Sequence, residues 1–268
     1  MPRARGTTRA WAAAVAACGI ACILHACGTL EGVATEAGDA AVDGTVPEAE
    51  AEASPDVAPP PPPPGCTSLI GQFATQTASS SGGDIDASPP EVVISFPATP
   101  TGTGTTAAHA QIPVTVPNGA THTTLTFVAR IERGTGAFDP GQGYVTFAAV
   151  TNGTMVGSQP SVEITLGSGE EFEINTFHAG DMAAPTKNIS MPKEAIPYGL
   201  TTTLTLDVDW SATAGAVSLA NGSIVEGASS LDLGSALGST LTIQLGGEAG
   251  AGSPGETIRY VSVCASFR

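Results

Sequence analysis

Two short runs place carboxylates at alternate positions: Glu171-Phe-Glu173-Ile-Asn175 and Asp207-Val-Asp209-Trp210. Alternate residues of an extended strand share a face, so each run presents two carboxyls side by side. Two carboxyls beside one cleft can act as nucleophile and proton donor at a glycosidic bond. The plainer reading is a pair of wetted faces on half-buried strands. Aromatic residues, which stack on sugar rings, are only 5% of the chain. Trp210 shares its parity with Leu204, Leu206 and Val208, which assigns it to the core. Both carboxylate pairs are therefore read as solvated, and no catalytic residue is expected.

A second source of chemistry is the mixed-polarity stretch Phe177–Gly199, read as a loop containing His178, Asp181, Lys187, Asn188, Lys193, Glu194 and Tyr198. Loops carried by rigid sheets commonly hold binding residues. His178 and Asp181 could ligate a metal, with Asp207 or Asp209 adding oxygens suited to calcium. The candidate ligand-binding set is thus His178, Asp181, Tyr198, Asp207 and Asp209. No EF-hand or zinc spacing accompanies it, so no cofactor is expected, calcium being the one ion these groups would suit. The chain shows no Gly-x-Ser-x-Gly elbow, no lysine-bearing phosphate loop and no His-Glu-x-x-His. His109 and His122 read as strand or loop surface residues.

The elements that must position these groups alternate with period two. Val92, Ile94 and Phe96 alternate with Glu91 and Ser95; Leu125, Phe127 and Ala129 alternate with Thr124, Thr126 and Arg130. Val162, Ile164 and Leu166 flank Glu163 and Thr165, and Phe172 and Ile174 flank Glu173. The same rhythm runs through Leu204–Trp210, Leu241–Leu245 and the set Val261, Val263, Ala265, Phe267. Each run predicts one dry and one wet face, as antiparallel sheets require. Pro117-Asn118-Gly119, Asn152-Gly153, Gly167-Ser168-Gly169 and Asn221-Gly222 supply turns, the last between two short strands. The expected class is all-β, a two-sheet antiparallel β-sandwich occupying residues 66–268.

The start of the chain is different. Arg3, Arg5 and Arg9 precede an apolar run from Ala10 to Ala26, a length that suits a signal helix. Its end, Leu24-His25-Ala26-Cys27-Gly28, resembles the lipobox of bacterial lipoproteins. That resemblance implies cleavage after residue 26 and acylation of Cys27, anchoring an exported protein in a cell-envelope membrane, the outer membrane or cell surface. An ordinary secretory signal and an uncleaved anchor are the alternatives. Residues 27–65 carry eight carboxylates and no Lys or Arg, then run into Pro59–Pro64. Such a stretch cannot bury enough apolar area to order itself, so a disordered linker ending in an extended polyproline rod is expected.

Seventeen carboxylates against six basic residues remain in 66–268. This balance opposes nucleic-acid binding, because phosphates would be repelled. Cys66 and Cys264 are the two cysteines left after the signal and Cys27. In an oxidising compartment they suggest a bridge between the first and last strands; two unpaired buried thiols are the alternative.

Leu200–Phe267 resembles the closing half of a concanavalin A-like, or laminin G-like, jelly roll. It has a long strand ending in Asp209-Trp210, a hairpin at Asn221-Gly222, Leu241-Thr-Ile-Gln-Leu-Gly246 and a terminal strand. The resemblance implies that first and last strands are neighbours, which would bring Cys66 and Cys264 together. Glycosidases of this family carry a Glu-x-Asp-x-Glu-like run, which neither carboxylate pair here completes. The combined expectation is a non-enzymatic envelope lipoprotein whose sandwich binds a glycan or protein ligand. A glycosidase using Glu171 and Glu173, or Asp207 and Asp209, and a purely structural envelope module are the alternatives.

Overall fold

The computed structural model describes residues 66–75, 78–99, 104–136, 138–139, 143–153, 161–178, 185, 187–192 and 196–268. The expected signal segment (1–26), Cys27, the linker (27–65) and Asp181 lie outside the described residues. Among the described residues, no helix is long and apolar enough to cross a membrane.

Alternation builds two sheets. The first contains β1 (Thr67–Ser68), β3 (Asp84–Asp86), β4 (Val92–Phe96), β6 (His122–Arg133), β11 (Thr201–Asp209), β12 (Gly215–Asn221), β13 (Ile224–Leu231) and β15 (Glu256–Phe267). Its order is β13-β12-β11-β6-β15-β4-β3, with β1 also on β15. The second contains β2 (Ala78–Ser81), β5 (Thr106–Thr115), β7 (Val145–Asn152), β8 (Ser161–Leu166), β9 (Phe172–Phe177), β10 (Lys187–Ser190) and β14 (Thr240–Ala249). Its order is β10-β9-β8-β7-β14-β5-β2. Pairings between these strands are antiparallel. One four-residue helix, α1 (Ile70–Phe73), is present among the described residues. The protein is a nearly all-β, two-sheet antiparallel sandwich.

Apolar parity sends Val92, Ile94, Leu204, Leu206, Val208, Leu241, Ile243 and Leu245 into the space between the sheets, each essentially unexposed. Trp210 joins them and donates its indole N–H to Thr123 Oγ1 at 3.1 Å. The Asn221-Gly222 turn closes the β12–β13 hairpin, with Gly222 at φ +60°, where a Cβ would be strained. The stretch read as one loop from Phe177 to Gly199 contains a strand, β10, paired with β9 in register Ile189↔Ile174. Local polarity disguised it, since β10 is a short, largely exposed edge strand.

In β15 the alternation breaks. A register shift between Tyr260 and Ser262 leaves Val261 only half-buried, while Ile258, Tyr260, Val263 and Ala265 are buried. A bulge inserts one residue and switches parity, so an uninterrupted Val261-to-Phe267 face does not form. Its gain is Tyr260. The phenol donates across the sandwich to the Phe147 carbonyl and accepts the Gly246 N–H at 3.2 Å. Phe147 packs edge-on to Phe127 and Phe172 at 5.6 and 5.8 Å between ring centres. Gly246 itself sits at φ +68°, and a Cβ there would meet the Ala108 carbonyl oxygen at 2.4 Å. Tyr260→Phe strips two buried backbone groups of their partner. We expect a loss of about 1–3 kcal/mol in urea unfolding, with the disulfide intact.

The ends of the sandwich meet at β1. Thr67 pairs with Ala265 and Ser68 with Cys264, and Cys66 is bonded to Cys264 with their Cα atoms 5.5 Å apart. Leu69 and Phe73 then seal this corner, both buried.

Candidate ligand groove

The outward positions of the seven-stranded sheet are polar in a concentrated way. His109 and Gln111 project from β5, Gln244 and Glu248 from β14, and Thr146 from β7, with Tyr144 just before it. Glu163 and Thr165 follow on β8, then Glu173 and Asn175 on β9, with Phe177 closing the row. The order β9-β8-β7-β14-β5 makes these rows adjacent, and together they line a groove of about 890 Å³. None of its lining residues is Lys or Arg among the described residues.

Hydrogen bonds orient this surface in advance. Asn188 of β10 donates to Asn175 Oδ1 at 2.7 Å and to Glu173 Oε2 at 3.1 Å. Asn175 in turn donates to Thr165 Oγ1 at 3.2 Å, and Gln244 to the Gly246 carbonyl at 3.1 Å. Thr146 donates to Glu163 Oε1 at 2.8 Å, and the Tyr144 phenol to Glu248 Oε2 at 3.2 Å.

The titratable groups of the groove differ in setting. Burial pushes Glu163 above the ordinary carboxylate range, Thr146 pulls it back, and the charge of Glu248 raises it again. Burial first and then Glu248 push the Tyr144 phenol up to about 12. His109 moves down because burial disfavours imidazolium, with Glu248 opposing. At neutral pH the groove thus offers amides, hydroxyls, a neutral imidazole and a phenol, alongside carboxyls held in unlike environments.

The candidates read from sequence are scattered. Asp207 and Asp209 sit on the outer face of the other sheet. Asp207 accepts from Thr124 Oγ1 at 2.7 Å and pairs with Arg268 at 3.0 Å, beside a shallow depression of about 380 Å³. Asp209 lies 3.4 Å from His122. His178 directly follows β9 and lies 3.5 Å from Asp232. Tyr198 lies under the Arg133 guanidinium, 5.5 Å from ring centre to Cζ. These residues do not converge, and no group of three or more potential metal ligands occurs among the described residues. Of the Glu171–Asn175 run, Glu173 and Asn175 line the groove, while Glu171 lies at the β8–β9 turn with Glu173 close to Gly167.

Sequence reading missed His109, Gln111, Tyr144, Glu163, Gln244 and Glu248 as one site. Their signal was present as outward parity on separate strands. Nothing local shows that those strands are neighbours.

No protein-family model matches the chain, and no curated protein matches it in sequence. Solved structures do resemble it. An alginate lyase from Chlorella virus is 11% identical over 75% of this chain and 99% of its own, with a TM-score of 0.48. Lectin I-B4 from Griffonia simplicifolia is 12% identical over 71% and 93%, at 0.45. Peanut lectin is 11% identical over 72% and 98%, at 0.41.

Proposed function

We propose that the groove binds a segment of glycan, displayed by a lipid-anchored envelope protein. One observation carries this: convergent amide, hydroxyl and carboxyl groups, already oriented by one another, on the outward face of a rigid sheet. Sugar hydroxyls need paired donors and acceptors held in place, and prior orientation lowers the ordering cost of binding. Tyr144 and Phe177 add ring surface for the apolar face of a pyranose. Export and acylation at Cys27 rest on the N-terminal pattern of residues 1–28. A disulfide-bonded domain is in keeping with an oxidising compartment.

Glycan arrays followed by calorimetry on the full chain test the proposal. Asn175→Ala removes a donor and acceptor from the floor and is expected to weaken binding by about tenfold, the worth of roughly one well-placed hydrogen bond. Thr205→Ala, on the opposite sheet, is expected to leave affinity unchanged. No binding to any glycan, or equal binding by Asn175→Ala, would refute the assignment.

A second reading is favoured by Glu163. A carboxyl whose hold on its proton is strengthened by burial, and which accepts from Thr146, is suited to donate a proton to a glycosidic oxygen. In that case the full chain releases reducing ends from a bound polymer and Glu163→Gln does not.

A further inference from the structure

A second polar cluster adjoins the edge of the groove. Glu256 stands opposite Arg133 in the β15–β6 ladder and is 2% exposed. Both of its carboxyl oxygens, the Arg133 Nε and the Tyr198 hydroxyl are buried with no hydrogen-bond partner among the described residues. Unpaired polar atoms gathered in one buried place are costly, and native structures rarely keep them without a role.

Arg133 is engaged elsewhere. Its Nη2 lies 2.6 Å from Glu170 Oε1, and its guanidinium covers the Tyr198 ring. Glu170 belongs to the β8–β9 turn and is held at φ +65°, a left-handed conformation that a residue with a Cβ adopts at a cost. In that turn Glu170 N–H donates to the Gly167 carbonyl at 3.0 Å and Gly167 N–H to the Glu171 carbonyl at 2.9 Å. Gly167 and Ser168 line the groove. A cation from one sheet therefore steadies a strained turn of the other, at the mouth of the binding surface.

We propose that Glu256, Arg133 and Glu170 form a proton-operated latch that sets the β8–β9 turn at the edge of the groove. While Glu256 is neutral, the Arg133 charge is committed to Glu170 and the turn is held. Loss of the proton places a second carboxylate beside the same guanidinium in a buried setting. The unpaired Nε supplies a donor, Arg133 is drawn towards Glu256, and Glu170 is left facing an added negative charge. Among the described residues, the groups that face Glu256 are Arg133 from β6, Glu170 from the turn and Tyr198 from the segment before β11. On its other side β4 contributes Phe96, which carries no charge. Burial first, with Glu170 adding to it against the pull of Arg133, pushes Glu256 up to about 8, so the latch opens just above neutrality. An effect on ligand affinity rests on the glycan-groove reading; the movement of the turn does not.

Hydrogen exchange of the Gly167 and Glu170 amides in the full chain, corrected for intrinsic rates, tests the latch without any ligand. Between about pH 6 and about pH 9, the wild-type turn is expected to lose protection by about tenfold or more, with a midpoint near the Glu256 value. Glu256→Gln, nearly the same shape, should keep the turn protected throughout. Arg133→Gln should leave it unprotected at both ends. Amides of the β6–β15 ladder, which open only with the whole domain, should stay more protected than the turn in every case. A pH-independent turn, a Glu256→Gln variant that follows the wild type, or ladder amides opening together with the turn would each overturn the proposal.

Discussion

Removal of the Cys66–Cys264 bridge is expected to lower stability by roughly 4–5 kcal/mol, the largest single effect in the molecule. The bond closes a loop spanning 198 positions, so the oxidised unfolded chain is far more confined than the reduced one. Cross-linking also secures β1, a two-residue strand that could not hold its register unaided. The double variant Cys66→Ala/Cys264→Ala, which avoids leaving one free thiol, should show this loss in urea unfolding at neutral pH. The sandwich should still form, because the remaining ladders do not depend on β1. An unchanged midpoint would mean that β1 and the α1 corner hold equally well without the cross-link.

The next largest effect concerns Glu256 and pH. Its carboxyl is raised from 4.5 to about 8 in the folded protein, burial being the main cause. The folded state therefore binds the proton more tightly than the unfolded state. That contribution is fully present below about pH 4.5 and is lost as pH climbs through about 8. At about 1.4 kcal/mol per unit of difference, the loss across this window is on the order of 4 kcal/mol. Glu256→Gln keeps the shape and has no proton to lose, so its stability should run nearly flat over the same window. Urea unfolding at stepped pH measures both curves. Parallel curves for variant and wild type would show that another group governs the slope.

Much of the sandwich was legible from residue order. Leu204, Leu206 and Val208 declared one dry face of β11, which Trp210 continues just past the strand's end, and every one of them is buried. The adjacency of first and last strands, implied by the jelly-roll resemblance, appears in the pairing of Ser68 with Cys264. Legibility ended where the period changed or a strand was too polar to show it. The β15 bulge turned Tyr260 inward and Val261 away, because one inserted residue reverses every later facing. β10 passed for loop because Lys187, Asn188 and Ser190 are exposed, leaving Ile189 as its lone apolar contact.

The groove shows the same division. Residue order determined that Glu163, Thr165, Glu173, Asn175 and Gln244 face away from the core, since parity along a strand is a local, steric property. Tertiary structure decided that they face one another. β14 lies between β5 and β7, so Gln244 and Glu248 reach residues more than eighty positions earlier in the chain. Such neighbours are chosen by long-range pairing of backbone groups, which are alike at every residue and leave no mark in side-chain pattern. For the same reason Glu256, an ordinary acidic residue in sequence, became a buried, proton-holding carboxyl only when β6 and the 196–200 segment closed over it.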